Sequence, residues 1–227
     1  MIVAALAWYA ETAESLERCA RSLGGFCDTL VAIGGRWDGF PAVDGDDPAA
    51  QARAIERGAD EAGIFCDVTW TAETFASQVE KRAELMAAAR SVGDFVFVID
   101  GDEYIVDAHT DEVIGLLERT EADAAQVAGI RVPLSASSAR RPWRRMYRSS
   151  TGVTVETAHN GYRAADGRWL YGDPAHVTLE PVLDLSAHVL IAHDIAARSG
   201  ERKIARKSYL RDRRDRQTER WPERVVA

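Results

Sequence analysis

Cysteine is scarce in this 227-residue sequence, and the three present, Cys19, Cys27 and Cys66, never stand in a CxxC spacing. An odd, scattered set excludes a disulfide framework and a cysteine-based zinc motif, and a reducing, cytoplasmic setting is the expectation. Long apolar runs are missing too. The opening MIVAALAWYAE is apolar for a few residues with no basic residue ahead of it, so it reads as a buried strand, not as a signal peptide or membrane span. Positive charge is short: 28 Lys+Arg face 36 Asp+Glu, for a formal charge of −8, and that balance argues against a nucleic-acid partner. The exception is residues 198–227, where Lys and Arg outnumber Asp and Glu. Such a tail can meet phosphates or an anionic membrane face, or it can be a solvated helix paired with the acidic body. Internal repeats and low-complexity linkers are absent, and the length suits one domain with one substantial core.

What is present alternates. Ile2 to Trp8 reads as a buried strand, Ala13 to Leu23 as a helix stopped by Gly24-Gly25, and Thr29 to Ile33 as a second strand. A turn-rich loop follows. Asp47-Pro48 then gives a cap and first turn for a helix to about Ala59. Ile64 to Trp70 is a third strand, Thr71 to Arg90 a longer helix, and Asp94 to Ile99 the strongest strand signal in the chain. Asp111 to Arg119 is again helical. This β-α-β-α-β-α-β order predicts an α/β domain with a mostly parallel central sheet flanked by helices. Residues 126–180 carry short strand-like pieces, many arginines and turn residues. Leu185 to Ile191 is a last strand, and a charged helical extension runs from about Ile195 to Arg220.

The sharpest chemical feature is Asp100-Gly101-Asp102-Glu103, directly after the apolar strand. Two carboxylates at i and i+2 in such a turn can point into one small volume, and their repulsion favours a cation between them. Hard oxygen ligands suit Mg²⁺ or Mn²⁺ carrying a diphosphate. The bland alternative is a polar turn with a helix cap. An EF-hand fails because Tyr104 and Ile105 stand where Asx and Gly are needed. Tyr104 also weakens a phosphatase reading, which calls for Thr or Val there.

Several segments together are similar to the GT-A glycosyltransferase superfamily, and within it to the large inverting family-two type with a DxD motif. WYAETAESLERCARSL resembles that family's Y-N-E followed by L-x-x-C-x-x-S-L, matched at Tyr9, Glu11, Leu16, Cys19, Ser22 and Leu23, with Ala10 in the Asn place. At the end of the second strand Gly34 stands where Asp is usual, and Asp38 matches a later Asp. QVEKRAELMAAAR resembles a K-R-N segment through Lys81 and Arg82, with Ala83 in place of Asn, and FVFVIDGDE resembles an apolar strand ending D-A-D-E. The likeness covers residues 2–105 and resumes at 144–148, 157–160 and 192–209.

The resemblance implies a single Rossmann-like GT-A domain over 1–197, with a nucleotide-sugar half (1–105) and an acceptor half (106–197), followed by a basic tail over 198–227. It implies a nucleotide-sugar donor, UDP-linked by expectation, bound by Tyr9, Glu11, Asp38, Arg82 and Asp100. It implies Mn²⁺ or Mg²⁺ on Asp102, Asp100 and His193, and an imidazole in that set tilts the expectation toward Mn²⁺. The competing reading of His193 is a core histidine at a helix start. The acceptor would be a hydroxyl of a glycan, protein or small molecule, and transfer would invert the anomeric centre. In relatives the late segment closes over the nucleotide, which makes the tail a lid or, equally, a solvated helix.

An inverting transfer needs a general base, usually Asp or Glu. Asp173 in its GDP turn is favoured over Glu156, with His159 and His176 in the same irregular region. The aromatics Trp143, Tyr147, Tyr162, Trp169 and Tyr171 are stacking candidates for a sugar, or core. Arg140, Arg141, Arg144, Arg145 and Arg148 are candidates for phosphate or for the acidic body. Two rival functions stand beside transfer. A sugar-phosphate nucleotidyltransferase would need a Gly-rich loop after the first strand, and WYAETAES has none. A non-catalytic binder would be expected to lose DxD or the late His, and both are present.

Overall fold

The computed structural model describes residues 1–132, 140–157, 161–171, 181–194 and 200–209. The first half alternates as the pattern requires: β1 (Ile2–Trp8), α1 (Ala13–Arg21), β2 (Thr29–Gly34), α2 (Pro48–Ala62), β3 (Phe65–Trp70), α3 (Gln78–Arg90) and β4 (Phe95–Asp100). Side chains on β1 divide by period two. Ile2, Ala4, Leu6 and Trp8 join a core with Leu16, Leu30, Ile55 and Phe97 on the face covered by α1 and α2. Val3 and Ala5 point the other way, to Val31, Leu85, Met86 and Val98 beneath α3. Asp47 caps α2 by accepting the Ala50 N–H at 2.9 Å, and Pro48 takes the first turn.

The expected mostly parallel sheet is corrected. The nine-stranded sheet is mixed, in the order β3-β2-β1-β4-β7-β6-β12-β5, with β11 also paired to β6. β3-β2-β1-β4 form a four-stranded parallel block, and β6 pairs parallel with β12 and β11. The strands β6 (Ala124–Val132), β7 (Arg141–Arg148), β11 (Val182–Asp184) and β12 (Val189–Asp194) come from the half that looked irregular. β7 lies antiparallel between β4 and β6. Its arginines hide the strand pattern: Met146 and Tyr147 are buried while Arg148 lies over the Phe95 ring. β5 (Glu103–Ala108) starts at once after the DGD turn and pairs antiparallel with β12. α4 (Thr110–Arg119) follows β5, and β8 (Thr154–Thr157), β9 (Gly161–Arg163) and β10 (Trp169–Tyr171) form a separate small sheet.

Helix α3 begins later than its hydrophobic pattern suggests. Ser77 caps it by accepting the Glu80 N–H at 3.0 Å, and Glu80 reaches back to the Ala76 N–H. The stretch before it is pinned in extended form, with Phe75 N–H donating to Arg36 C=O at 2.9 Å and Asp38 N–H to Phe75 C=O at 2.8 Å. Residues 200–209 form a further helix, α5, the described part of the expected C-terminal extension. No helix among the described residues is long and apolar enough to cross a membrane.

Gly34 is explained by its neighbour. It sits in register beside Trp8, whose indole occupies the space a side chain would need: a Cβ at Gly34 would come 2.2 Å from Trp8 Cζ2. The Trp8 N–H donates to Gln51 Oε1 at 3.1 Å, and Gln51 in turn donates to Glu11 C=O at 2.8 Å. Trp8 therefore ties β1 to α2 and to the loop carrying Glu11. Gly34→Ala is expected to lower stability by about 2–3 kcal/mol through overpacking, and by much less in a Trp8→Leu background. A denaturant double-mutant cycle reads this directly, and equal costs in both backgrounds would contradict the packing account.

Candidate active site

The carboxyl ends of β1 and β4 open into a cavity of about 300 Å³, the place where open α/β sheets bind ligands. Most of the sequence-predicted donor and metal residues meet there: Tyr9, Glu11, Arg82, Asp100, Asp102 and His193 all line it. Asp38 does not; it is exposed on the loop after β2. Glu156 is exposed on β8 and outside the lining, and Asp173, His159 and His176 lie outside the described residues.

The two aspartates of the DGD turn have different surroundings. Asp100 Oδ1 accepts a hydrogen bond from Arg82 at 2.6 Å, and its Oδ2 lies 3.9 Å from Arg145. Burial alone would raise the Asp100 carboxyl, but the Arg82 and Arg145 guanidinia outweigh it and hold the group well below the usual carboxylate range. Asp102 is 2% exposed, and its Oδ2 lies 3.1 Å from His193 Nε2. That meeting is built by the backbone. Asp194 N–H donates to Asp102 C=O at 2.8 Å, and His193 pairs with Glu103 across β12 and β5. Gly101 between them is required by space, because a Cβ there would come 2.7 Å from Leu16 Cδ2 and 3.1 Å from Glu11 Cγ.

Around this turn lies a shell of buried charge that the sequence showed only as motif letters. Glu103 forms an ion pair with Arg145 and accepts the Asp100 N–H at 3.0 Å. Glu11 accepts the Tyr9 N–H at 2.6 Å and pairs with Arg202 from α5. Burial pushes both glutamates up to about 7, against the pull of Arg145 and Arg202 respectively. Lys81, 2% exposed, donates to Trp8 C=O and to Gly35 C=O, capping the ends of β1 and β2, and burial draws its ammonium down to about 7. Ala10, between Tyr9 and Glu11, has φ +56°. A left-handed alanine costs about 1 kcal/mol or more, and Asn, the residue the resemblance puts there, tolerates that region better.

In all, seven Lys or Arg side chains line the cavity against four carboxylates, although the whole chain carries a formal charge of −8. Arg131, Arg144 and Arg206 are the cations besides those already named. The aromatic candidates divide. Trp143 and Tyr171 line the cavity, whereas Tyr147 and Tyr162 are buried and stacked with centroids 4.4 Å apart, and Trp169 lies under Arg163. Of the arginine cluster, Arg144 and Arg145 face the cavity; Arg140 and Arg141 are exposed. Trp37 and Phe40, unpredicted, form an aromatic wall with Tyr9 at centroid distances of 5.9 and 5.6 Å from its ring. Tyr209 from α5 packs on Phe40 at 5.3 Å. Their loop context gave no periodic signal.

As a metal centre, the expected three-residue set comes together only in part. Asp102 and His193 are adjacent, while Asp100 is engaged by two guanidinia. Asp100, Asp102 and His193 do not bring three ligand atoms within 4.8 Å of one another. The donor pair fits a cation that takes its remaining ligands from substrate oxygens and water, as Mg²⁺ does with diphosphates.

The split between the aspartates is measurable. Asp100→Asn leaves two buried guanidinia short of a partner and is expected to cost about 2 kcal/mol at pH 7, discounted because 31% of the Asp100 side chain is exposed. Since its folded-state pKa is depressed, that contribution is present above the unfolded value near 3.9 and is lost as pH falls through the folded one. Asp102→Asn is expected to change stability by less than about 1 kcal/mol. Urea unfolding of both variants between pH 3 and 7 checks this; equal losses at pH 7 would contradict it.

No protein-family model matches the sequence, and no curated protein matches it. Among solved structures, the chain is similar to the 1–349 fragment of S. aureus TarS, at 14% identity and TM-score 0.48, over 66% of this chain and 47% of that one. The same fragment in complex with UDP matches at TM-score 0.49, and in complex with UDP-GlcNAc at 0.47, each at 14% identity. The chain thus spans less than half of that fragment, and at this identity and score the likeness assigns neither family nor activity.

Proposed function

We propose that the protein is a metal-dependent glycosyltransferase. It moves a sugar from a nucleotide-sugar, UDP-linked, to a hydroxyl of a glycan, protein or small-molecule acceptor, with inversion. The observation that carries this reading is a cation-rich cavity at the carboxyl ends of β1 and β4, with Asp102 and His193 3.1 Å apart at its floor. The sequence resemblance over residues 2–105 supports it independently.

Each part of the lining has a role in this reading. Tyr9, Trp37 and Phe40 offer apolar faces to the base. Asp102 and His193 would hold Mn²⁺ or Mg²⁺, which when bound neutralises charge on the leaving diphosphate. Arg202 and Arg206, from α5, supply further positive charge to the diphosphate. Asp100 orients Arg82 and Arg145. Glu103 holds Arg145 from the other side and donates nothing to an acceptor in this geometry, being 2% exposed. The general base would accept the acceptor hydroxyl proton; Asp173 is proposed for it ahead of the exposed Glu156.

In thermal unfolding, UDP is expected to stabilise the protein only with Mn²⁺ or Mg²⁺ present, by about 2.7 kcal/mol at 100 times Kd. Equal stabilisation in EDTA would remove the cation bridge. Asp102→Asn should keep the fold and lose metal-dependent turnover of the nucleotide-sugar, and unchanged turnover in that variant would show that the DxD reading is wrong.

A further inference from the structure

A second group of ligand-type side chains lies at the far end of the sheet. His109 and Glu112 stand on the first turn of α4, and His188 on the turn leading into β12. One atom from each falls within 4.8 Å of the other two. His188 precedes His193 by five residues of extended chain, roughly 16 Å, so the group is separate from the cavity.

Three details distinguish it from a chance surface cluster. First, His188 Nδ1 is shielded from solvent and lies 2.8 Å from Glu112 Oε2, and it makes no hydrogen bond among the described residues. Two lone pairs aimed at a common third point give that arrangement. Second, His109 Nδ1 lies 3.7 Å from the same Glu112 oxygen. A tetrahedral ion with bonds of about 2.0–2.1 Å has ligand-to-ligand edges of about 3.3 Å, and 2.8 and 3.7 Å bracket that edge. Third, the carriers are fixed to each other. His109 N–H donates to His188 C=O at 2.9 Å, and Ala108 pairs with Val189 in the β5–β12 ladder. His109 occupies the N-cap of α4 without capping it through its side chain, so its ring has no helix-capping task. Asp107 Oδ2 lies 3.7 Å from its other nitrogen, where a carboxylate orients a ligating imidazole.

We propose that His109, Glu112 and His188 form a second metal site, of a kind that takes Zn²⁺, with a fourth position left to water. Two imidazoles and one carboxylate form a mixed nitrogen and oxygen set that suits Zn²⁺ over Mg²⁺, which favours oxygen ligands alone. The ion clips the start of α4 to the end of the β5–β12 pair, whose opposite end carries Glu103 and His193. This site does not depend on the proposed transferase activity.

The test uses metal-free full-length protein titrated with Zn²⁺ by calorimetry and with Co²⁺ by visible absorption. A His193→Ala background removes the cavity's cation site from the measurement. In that background one equivalent of Co²⁺ is expected to bind with the absorption of a four-coordinate site, and Zn²⁺ to displace it and raise the melting midpoint. Adding His109→Ala or Glu112→Gln, both exposed positions that leave the core intact, should weaken binding by at least about tenfold and abolish the shift. His188→Ala should do the same. Absence of stoichiometric binding in the His193→Ala protein, or unchanged binding after His109→Ala and Glu112→Gln, overturns the proposal.

Discussion

The site rests on neutralising four carboxylates that converge where β1 and β4 end. Glu11, Asp100, Asp102 and Glu103 occupy one small volume, and three of them are nearly inaccessible to water. Buried like charges are costly unless each has a partner. Arg202 answers Glu11, Arg82 and Arg145 answer Asp100, and Arg145 also answers Glu103. These guanidinia come from α3, β7 and α5, so satisfying the charges assembles the fold around the cavity. Asp102 Oδ2 meets His193 Nε2 at 3.1 Å. Lys81 donates to the Trp8 and Gly35 carbonyls at the ends of β1 and β2 on the same floor.

The legible part of the fold is the part in which each element is local. β1, β2 and β4 are apolar on both faces, α1 and α2 are bounded by Thr12, Asp47 and glycines, and their order follows from the sequence. The second half was harder to read because its strands are stabilised from far along the chain. β7 is buried through Arg145, Met146 and Tyr147 between two strands it meets antiparallel, and Arg144 and Arg145 are turned to the cavity. β5 is short and directly follows a turn, and its partner β12 is about eighty residues away. Of the cavity lining, Asp100 and Asp102 were readable because the DGD motif sits at a strand end, and Glu11, Arg82 and His193 came through the resemblance. Trp37, Phe40 and Arg131 were not readable, since loop and strand-end residues carry no periodicity that marks a pocket wall.

Two departures from the expected motifs become intelligible as packing. At Gly34, where the resemblance puts Asp, the Trp8 indole lies over the position and leaves no room for a carboxylate. The cavity wall around Tyr9 is aromatic, with Trp37 and Phe40 against its ring. Ala10 keeps the left-handed backbone that turns Glu11 inward, where it accepts the Tyr9 N–H, without the side chain that would relieve the strain. Both changes leave the DGD turn and its His193 neighbour intact.

Under the proposed function, Asp102 and His193 together hold a cation on a nucleoside diphosphate. Anomalous diffraction from crystals grown with Mn²⁺ and UDP addresses it most directly. A single Mn²⁺ peak is expected in the cavity, bonded to Asp102 and His193, with Asp100 still paired to Arg82. A peak ligated by Asp100 with the Arg82 pair broken, or UDP bound in the cavity with no metal at all, would contradict it.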